Sequence, residues 1–292
     1  MTKIGFIGQG WIGKHYADDF EDRLYEVVRY ALEEPYAQNK EAVGKCDIVF
    51  IAVPTPTTPD GYSYEPVIDA LTNLKKGATA VIKSTLSPGT TEVLQKQFPE
   101  LFVVHSPEFL REATAAHDAS KPQRNLIGIP EQTEAFQERA ESVLRILPEA
   151  PYNKILSSKE AELVKYAGNC FLYSKVVFMN MLHDLVESSD ASWDAVREAM
   201  INDPRIGESH TQPVHQSGHL SGEENAKRGA GGHCFIKDFE AFRQIYNEVV
   251  SDEAGMDLLL ATVKKNNELL VSSDKDIDLL QGVYGDDISV PK

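Results

Sequence analysis
The sequence predicts an α/β fold in two parts: a doubly wound parallel sheet, then an all-helical domain with a long central helix. Three observations carry this reading. Short apolar runs alternate with helical patterns through the first half, the order produced by parallel strands joined by crossover helices. The pattern Gly8-Gln9-Gly10-Trp11-Ile12-Gly13 follows the first run directly and opens a helix. Past residue 156 the strand-like runs stop and an apolar stripe at helical spacing begins.

Strands are expected at residues 3–8, 26–30, 47–53, 78–83, 102–105 and 125–129, several of them continuous apolar runs of the kind buried on both faces. Helices are expected between them, at 11–20, 64–74 and 90–98. In the glycine pattern, the first glycine fits a tight turn and the second admits a pyrophosphate to the backbone. The third lets helix and strand pack closely, and the helix N-terminus attracts the anion. A Rossmann-like, dinucleotide-binding domain is therefore expected over residues 1–156; a glycine-rich turn in an unrelated α/β protein is the plainer alternative. Glu33 is the candidate for the ribose hydroxyls, with Glu34 second, because Ala31 stands where an aspartate would sit. Arg29 could favour a 2′-phosphate, but it falls early for that role, so NAD is expected. Three later strand ends carry polar or proline-containing segments where a ligand would lie: Val53-Pro54-Thr55, Lys83-Ser84-Thr85, and the run from Ser106 to Glu112; for any one of them ordinary loop chemistry is the plainer alternative.

The second domain is expected over residues 157–292. Ser157 and Glu160 have capping-box spacing. Leu163, Ala167, Cys170, Phe171, Ser174, Val177, Phe178, Met181 and Leu185 then form one stripe of a long helix. Further helices are expected at 192–201, 238–250 and 252–272. Residues 208–228 read as a long polar loop and the acidic tail after Ser273 as loosely held.

The chain has 292 residues, a formal charge of -16 and a pI near 4.9, which argues against nucleic acid or a membrane surface as partner. No apolar run is long enough to span a bilayer, and the N-terminus lacks a signal-peptide layout. Three cysteines form no disulfide framework, so a cytoplasmic location is expected. Cys46 and Cys170 sit in apolar patterns and read as core thiols; Cys234, in GAGGHCFIKD, does not.

Lys165 and Asn169 share a helix face, where a lysine can hold or take an alcohol's proton and an amide can orient the same oxygen. A surface lysine and a solvated asparagine remain the alternative. Cys234 lies behind Gly229, Gly231 and Gly232 and ahead of Asp238, which is a plausible N-cap. A thiol near a helix N-terminus gains thiolate character. Beside a nicotinamide it suggests oxidation of an alcohol past the aldehyde, through a thiohemiacetal and a thioester, to an acid. A small buried residue in a glycine-rich loop is the competing explanation.

Together, GQGWIG, DIVFIAVPTP, KSTLSPGTT, SPEFLREATA, AELVKYAGNCFLYSK, DPRIG and GAGGHCFIKD resemble, in order, the UDP-glucose/GDP-mannose dehydrogenase family. The resemblance implies an NAD-dependent nucleotide-sugar dehydrogenase that oxidises the sugar C6 alcohol to a carboxylate in two steps. It implies Cys234 as nucleophile, Lys165 and Asn169 as stabilisers of the reacting oxygen, and Glu108 as the residue linked to thioester hydrolysis, with Thr85 and Asp238 positioning the water. Ser84 and Glu112 fall on the nicotinamide side of NAD. Phe109, Leu110, Gly231 and Gly232 would line the nucleotide sugar. Arg205 matches an arginine that reaches the partner subunit's substrate, so a homodimer is implied. No metal is expected.

The sequence also departs from the family. A third domain that grips the nucleotide is not found before Lys292, so a compact form is expected, or a catalytic half served by a separate nucleotide-binding chain. A single-step 3-hydroxyacid dehydrogenase-like enzyme is the other alternative. Residues 208–228 exceed the family's loop; His210, His215, His219, Lys227 and Arg228 are candidates there to cover the substrate and meet its diphosphate, with a solvated loop as the equal alternative.

Overall fold
The computed structural model describes residues 2–59, 61–216, 226–286 and 288. By contacts it divides into two compact units. The first comprises the chain up to Pro56 and Ser63–Lys165, and the second comprises Thr57–Tyr62 and the chain from Tyr166 onward.

The first unit begins β1 (Ile4–Ile7), α1 (Trp11–Asp22), β2 (Val27–Tyr30), α2 (Lys40–Gly44) and β3 (Ile48–Ile51). A small hairpin, β4 (Thr57–Thr58) and β5 (Gly61–Tyr62), leaves this unit to pack on helices of the second. The first unit resumes with α3 (Glu65–Thr72), β6 (Thr79–Ile82), α4 (Thr90–Gln97), β7 (Phe102–His105), α5 (Ala115–Ser120), β8 (Arg124–Ile129), α6 (Glu134–Ile146) and β9 (Tyr152–Ser157). The sheet order is β2-β1-β3-β6-β7-β8-β9. Each expected strand forms, and pairing is parallel from β2 through β7. The sheet is thus doubly wound, with one refinement: β8 runs antiparallel to β7, joined through His105 and Gly128, and β9 runs parallel to β8.

Both faces of the sheet are covered, which is why its central strands are apolar throughout. On one face Phe6, Phe20 and Phe50 form an aromatic nucleus, with Phe6 stacked on Phe50 at 4.9 Å. On the other, Val49, Ile51, Ile82 and Val103 meet Val67 and Leu71 of α3 and Leu94 of α4. Each such side chain, fully buried, stabilises the fold by about 1.5–3 kcal/mol. The strand order reverses between β1 and β3, and at such a switch point an open α/β sheet presents a crevice beyond its strands' carboxyl ends.

α7 (Ser158–Ser188) is 31 residues long. The Ser157 N–H and hydroxyl both bond Glu160 Oε2, at 2.8 and 2.7 Å, forming the expected capping box. The apolar stripe of α7 divides in two. Cys170 and Val177 are buried with Tyr166, Tyr173 and Val176 in the second unit's core, where Tyr173 stacks on Phe239 at 4.1 Å. Leu163, Ala167, Phe171, Ser174, Phe178, Met181 and Leu185 form a separate exposed row. Then follow α8 (Trp193–Ile201), the antiparallel ribbon β10 (Val214–His215) and β11 (Lys227–Arg228), α9 (Gly232–Val249), α10 (Glu253–Ser272) and α11 (Ile277–Tyr284).

Two expectations are corrected here. α9 starts at Gly232, not Asp238, because the first amides of a helix need no partner within it and glycine is tolerated there. Residues 274–286 are not loosely held: α11 buries Leu280, Val283 and Tyr284 in the second core. Among the described residues no helix is long and apolar enough to cross a membrane.

Candidate active site
The cofactor turn is built as its spacing requires. Gly8 has φ +89, and a Cβ there would lie 2.2 Å from the Ala52 carbonyl oxygen; a Cβ on Gly13 would lie 1.9 Å from that of Gly8. Gly10 differs, since nothing lies within 4 Å of its would-be Cβ. The middle glycine thus leaves an approach to the N-terminus of α1, whose first turn holds no acidic residue, and this fits a pyrophosphate. Gln9 donates to the Gly8 carbonyl at 3.1 Å; Trp11 and Ile12 open α1. Arg29 is buried and paired with Asp18 and Glu21 of α1, each at 2.7 Å, so it is committed away from a 2′-phosphate. Glu33 is exposed in the turn after β2.

The strand ends are tied to one another. The Ser84 hydroxyl donates to the Val53 carbonyl at 2.7 Å and accepts from the Val53 N–H at 3.0 Å, and the buried Thr55 hydroxyl donates to the Thr85 carbonyl at 2.9 Å. Pro54 is exposed between them. After β7, Glu108 turns inward. Lys165 Nζ lies 2.5 Å from Glu108 Oε1 and donates to the Glu108 carbonyl at 3.0 Å; both side chains are 5% exposed. The other carboxylate oxygen accepts the Leu110 N–H at 2.8 Å. Glu112 begins a short 3-10 turn. Sequence spacing left Lys165 open as a surface residue, and the structure removes that alternative.

In the second unit, Asn169 Nδ2 donates to Asp238 Oδ2 at 2.6 Å, and Lys237 Nζ lies 2.5 Å from Asp238 Oδ1. Asp238 is buried in the second turn of α9 and so is not the N-cap expected of it; that place belongs to Gly231. Cys234 falls in the first turn and is half-buried. Cys46 and Cys170 are buried, and burial pushes both thiols up, away from thiolate character. Arg205 is exposed and chelates Asp203 through Nε and Nη2.

The two cations expected to meet a diphosphate are paired within the protein. Arg228 is bound to Asp184 at 2.7 Å and to the Asn180 side chain at 2.8 Å, while Lys227 is bound to Asp274. Both cations hold the β10–β11 ribbon to neighbouring chain. His215 is half-buried, and loss of solvent around its ring pushes the imidazole down to about 4. His210 stands beside Phe235. His219 lies outside the described residues.

The NAD binding domain of the UDP-glucose/GDP-mannose dehydrogenase family matches residues 19–147, and the family's central domain matches residues 159–268. The chain belongs to this family. The UDP-glucose 6-dehydrogenase YwqF of Bacillus subtilis is 30% identical over 304 residues, 96% of this chain and 64% of that protein. A UDP-glucose dehydrogenase structure from Pyrobaculum islandicum superposes with a TM-score of 0.76 at 27% identity, covering 96% of this chain and 71% of that one. A Mycobacterium tuberculosis 3-hydroxyisobutyrate dehydrogenase shares the fold at 15% identity (TM-score 0.69) over 97% of this chain and 98% of its own. The chain spans 64, 55 and 46% of the first three curated relatives.

Membership gives NAD as the cofactor, and the open middle glycine fits it. Two residues of this family member, Arg124 and Glu162, escaped the sequence reading, and Lys83 was read only as part of a ligand-facing strand end. Arg124, at the start of the reversed strand β8, places its guanidinium 3.8 Å over the Phe109 ring. Lys83 is buried, donates to Ser106 at 3.0 Å and lies over the Tyr16 ring; burial pushes its ammonium down to about 7 against the pull of Glu108. Glu162 is buried on α7 and accepts the Gly89 and Thr91 amides at 2.6 and 2.8 Å, fixing the segment after Thr85. The KSTLSPGTT motif contains Lys83, but no local spacing announces a partner 73 residues from Gly89.

Proposed function
We propose that this chain is the catalytic part of an NAD-dependent nucleotide-sugar dehydrogenase, of the UDP-glucose to UDP-glucuronate type, that converts the sugar C6 alcohol to a carboxylate. The observation that carries this is a nicotinamide-binding turn and a half-buried thiol in the first turn of a helix on one chain. Hydride transfer alone needs no thiol; oxidation beyond the aldehyde does.

NAD, when bound, supplies the hydride acceptor for each oxidation. The hydroxyl proton passes to the Glu108–Lys165 pair, and Lys165 and Asn169 stabilise the oxygen as the aldehyde forms. The Cys234 thiolate adds to the aldehyde carbon to give a thiohemiacetal. Loss of the second hydride leaves a thioester on Cys234. Glu108 takes a proton from water, which Thr85 and Asp238 orient, and the attack releases the carboxylate and the thiol. Ser84, Val53 and Glu112 serve the nicotinamide side and Glu33 the ribose. Phe109, Leu110, Gly231 and Gly232 line the sugar nucleotide. The balance is one alcohol, one water and two NAD in; one carboxylate, two NADH and three protons out. Incubation of UDP- and GDP-sugars with NAD should release two NADH per uronate. A stoichiometry of one, with a small hydroxyacid as the accepted substrate, would replace this reading with that of a single-step dehydrogenase.

The chain acts as a homodimer through α7, with Arg205 reaching the partner's substrate. Phe171, Phe178 and Leu185 recur every seven residues, with Ser174 and Met181 between them, which is the seam of a self-complementary helix pair. Phe171 is 68% and Leu185 63% exposed. The double substitution Phe171→Glu and Phe178→Glu should weaken self-association by roughly a hundredfold or more, since each aromatic anchor is worth about 2 kcal/mol. Sedimentation showing an unchanged dimer would remove this face from the interface.

A further inference from the structure
Between β11 and α9 the backbone leading into Cys234 is held by side chains. The Gly229 carbonyl accepts from Lys275 Nζ at 2.9 Å. Ala230 donates its N–H to Asn266 Oδ1 at 2.7 Å and accepts from the same amide at 3.0 Å. The Gly232 N–H donates to Asp276 Oδ2 at 2.7 Å. Buried backbone groups must find such partners, and here two of them carry charge. Lys275 is 1% exposed and Asp276 3%. The Lys275 ammonium also donates to the carbonyls of His215 at 3.1 Å and Lys227 at 3.2 Å, and lies 3.2 Å from His215 Nε2. Burial pushes that ammonium down to about 8, opposed by the adjacent Asp276.

We infer that Lys275 and Asp276 are positioning residues for Cys234: together they fix the backbone from Lys227 to Gly232 and so set where the thiol stands in the first turn of α9. Their functional role rests on Cys234 being the nucleophile proposed above. The physical logic is mutual dependence. A buried cation and anion are costly unless hydrogen-bonded, and the Lys227 and Gly229 carbonyls and the Gly232 N–H that help to satisfy them are the loop's own backbone groups. Loop and clamp therefore hold one conformation together. With the clamp gone, Gly229 at φ +91 and Gly232 at φ +87 have the freedom to leave it, and the thiol leaves the field of the helix amides.

The test is the rate at which iodoacetamide alkylates Cys234 in the full chain, read by peptide mass mapping; Cys46 and Cys170 are buried and serve as internal controls. Asp276→Ala should slow the reaction by roughly tenfold, as a thiol loses thiolate character. Asp276→Asn, which keeps an acceptor for the Gly232 amide, should restore it to within about threefold. Turnover of nucleotide sugar should fall in parallel, with KM for NAD unchanged. If Asp276→Ala does not fold, Asp276→Glu, with its acceptor displaced by one methylene, should show the same slowing. A folded variant alkylated at the wild-type rate overturns the inference. Alkylation needs no substrate, so failure of the wild-type chain to oxidise any nucleotide sugar would count against the dehydrogenase reading alone.

Discussion
Cys234→Ser should lower carboxylate formation by on the order of a thousandfold or more while leaving NAD binding intact. A serine hydroxyl stays protonated near neutral pH, where a cysteine thiol supplies the more nucleophilic thiolate. No second thiol can substitute, because Cys46 and Cys170 are buried and their burial disfavours ionisation. The first oxidation does not require the thiol, so a single-turnover experiment should release at most one NADH per sugar, with the aldehyde recovered by a carbonyl trap such as semicarbazide. Two NADH released at the wild-type rate would take the thiol out of the reaction.

The second large effect lies at Lys165. Its ammonium and the Glu108 carboxylate form a buried pair, so Lys165→Met strands a carboxylate away from water. Breaking such a pair costs about 3–5 kcal/mol. The midpoint of urea unfolding should fall accordingly. Adding Glu108→Gln removes the stranded charge, and the double variant should regain much of that stability. Activity should be lost in both single variants and in the double one, so the two readouts separate: stability follows charge balance and turnover follows the presence of both groups. A Lys165→Met protein that unfolds at the wild-type midpoint would show that the pair is solvated in solution.

The fold was legible where local chemistry suffices. The strands β1, β3, β6 and β7 are apolar runs because both faces of the sheet are covered. What escaped was set by distant partners or by masking. The strand β9, Tyr152–Ser157, is an edge whose outer residues are exposed, so it lacks an apolar run. In the tail, Asp274, Asp276 and Asp278 obscured the apolar pattern of Ile277, Leu280 and Val283. The start of α9 was missed because glycines read as a break, and the partner of the Gly232 amide stands 44 residues away. The site divides in the same way. The residue types in SPEFLRE and GAGGHCFIKD announced chemistry, but the Lys165–Glu108 bond, the Asn169–Asp238 bond and the pinning of Arg228 all join residues more than forty positions apart.

The three glycines of the cofactor turn answer to different constraints. At positions 8 and 13 a methyl group collides with the protein's own backbone; at position 10 it meets open space. A descendant chain could therefore keep its architecture while losing its coenzyme through one substitution that disturbs no packing. Among relatives of this chain, an intact sheet speaks for ancestry, whereas the middle glycine speaks for a turn still open to the coenzyme.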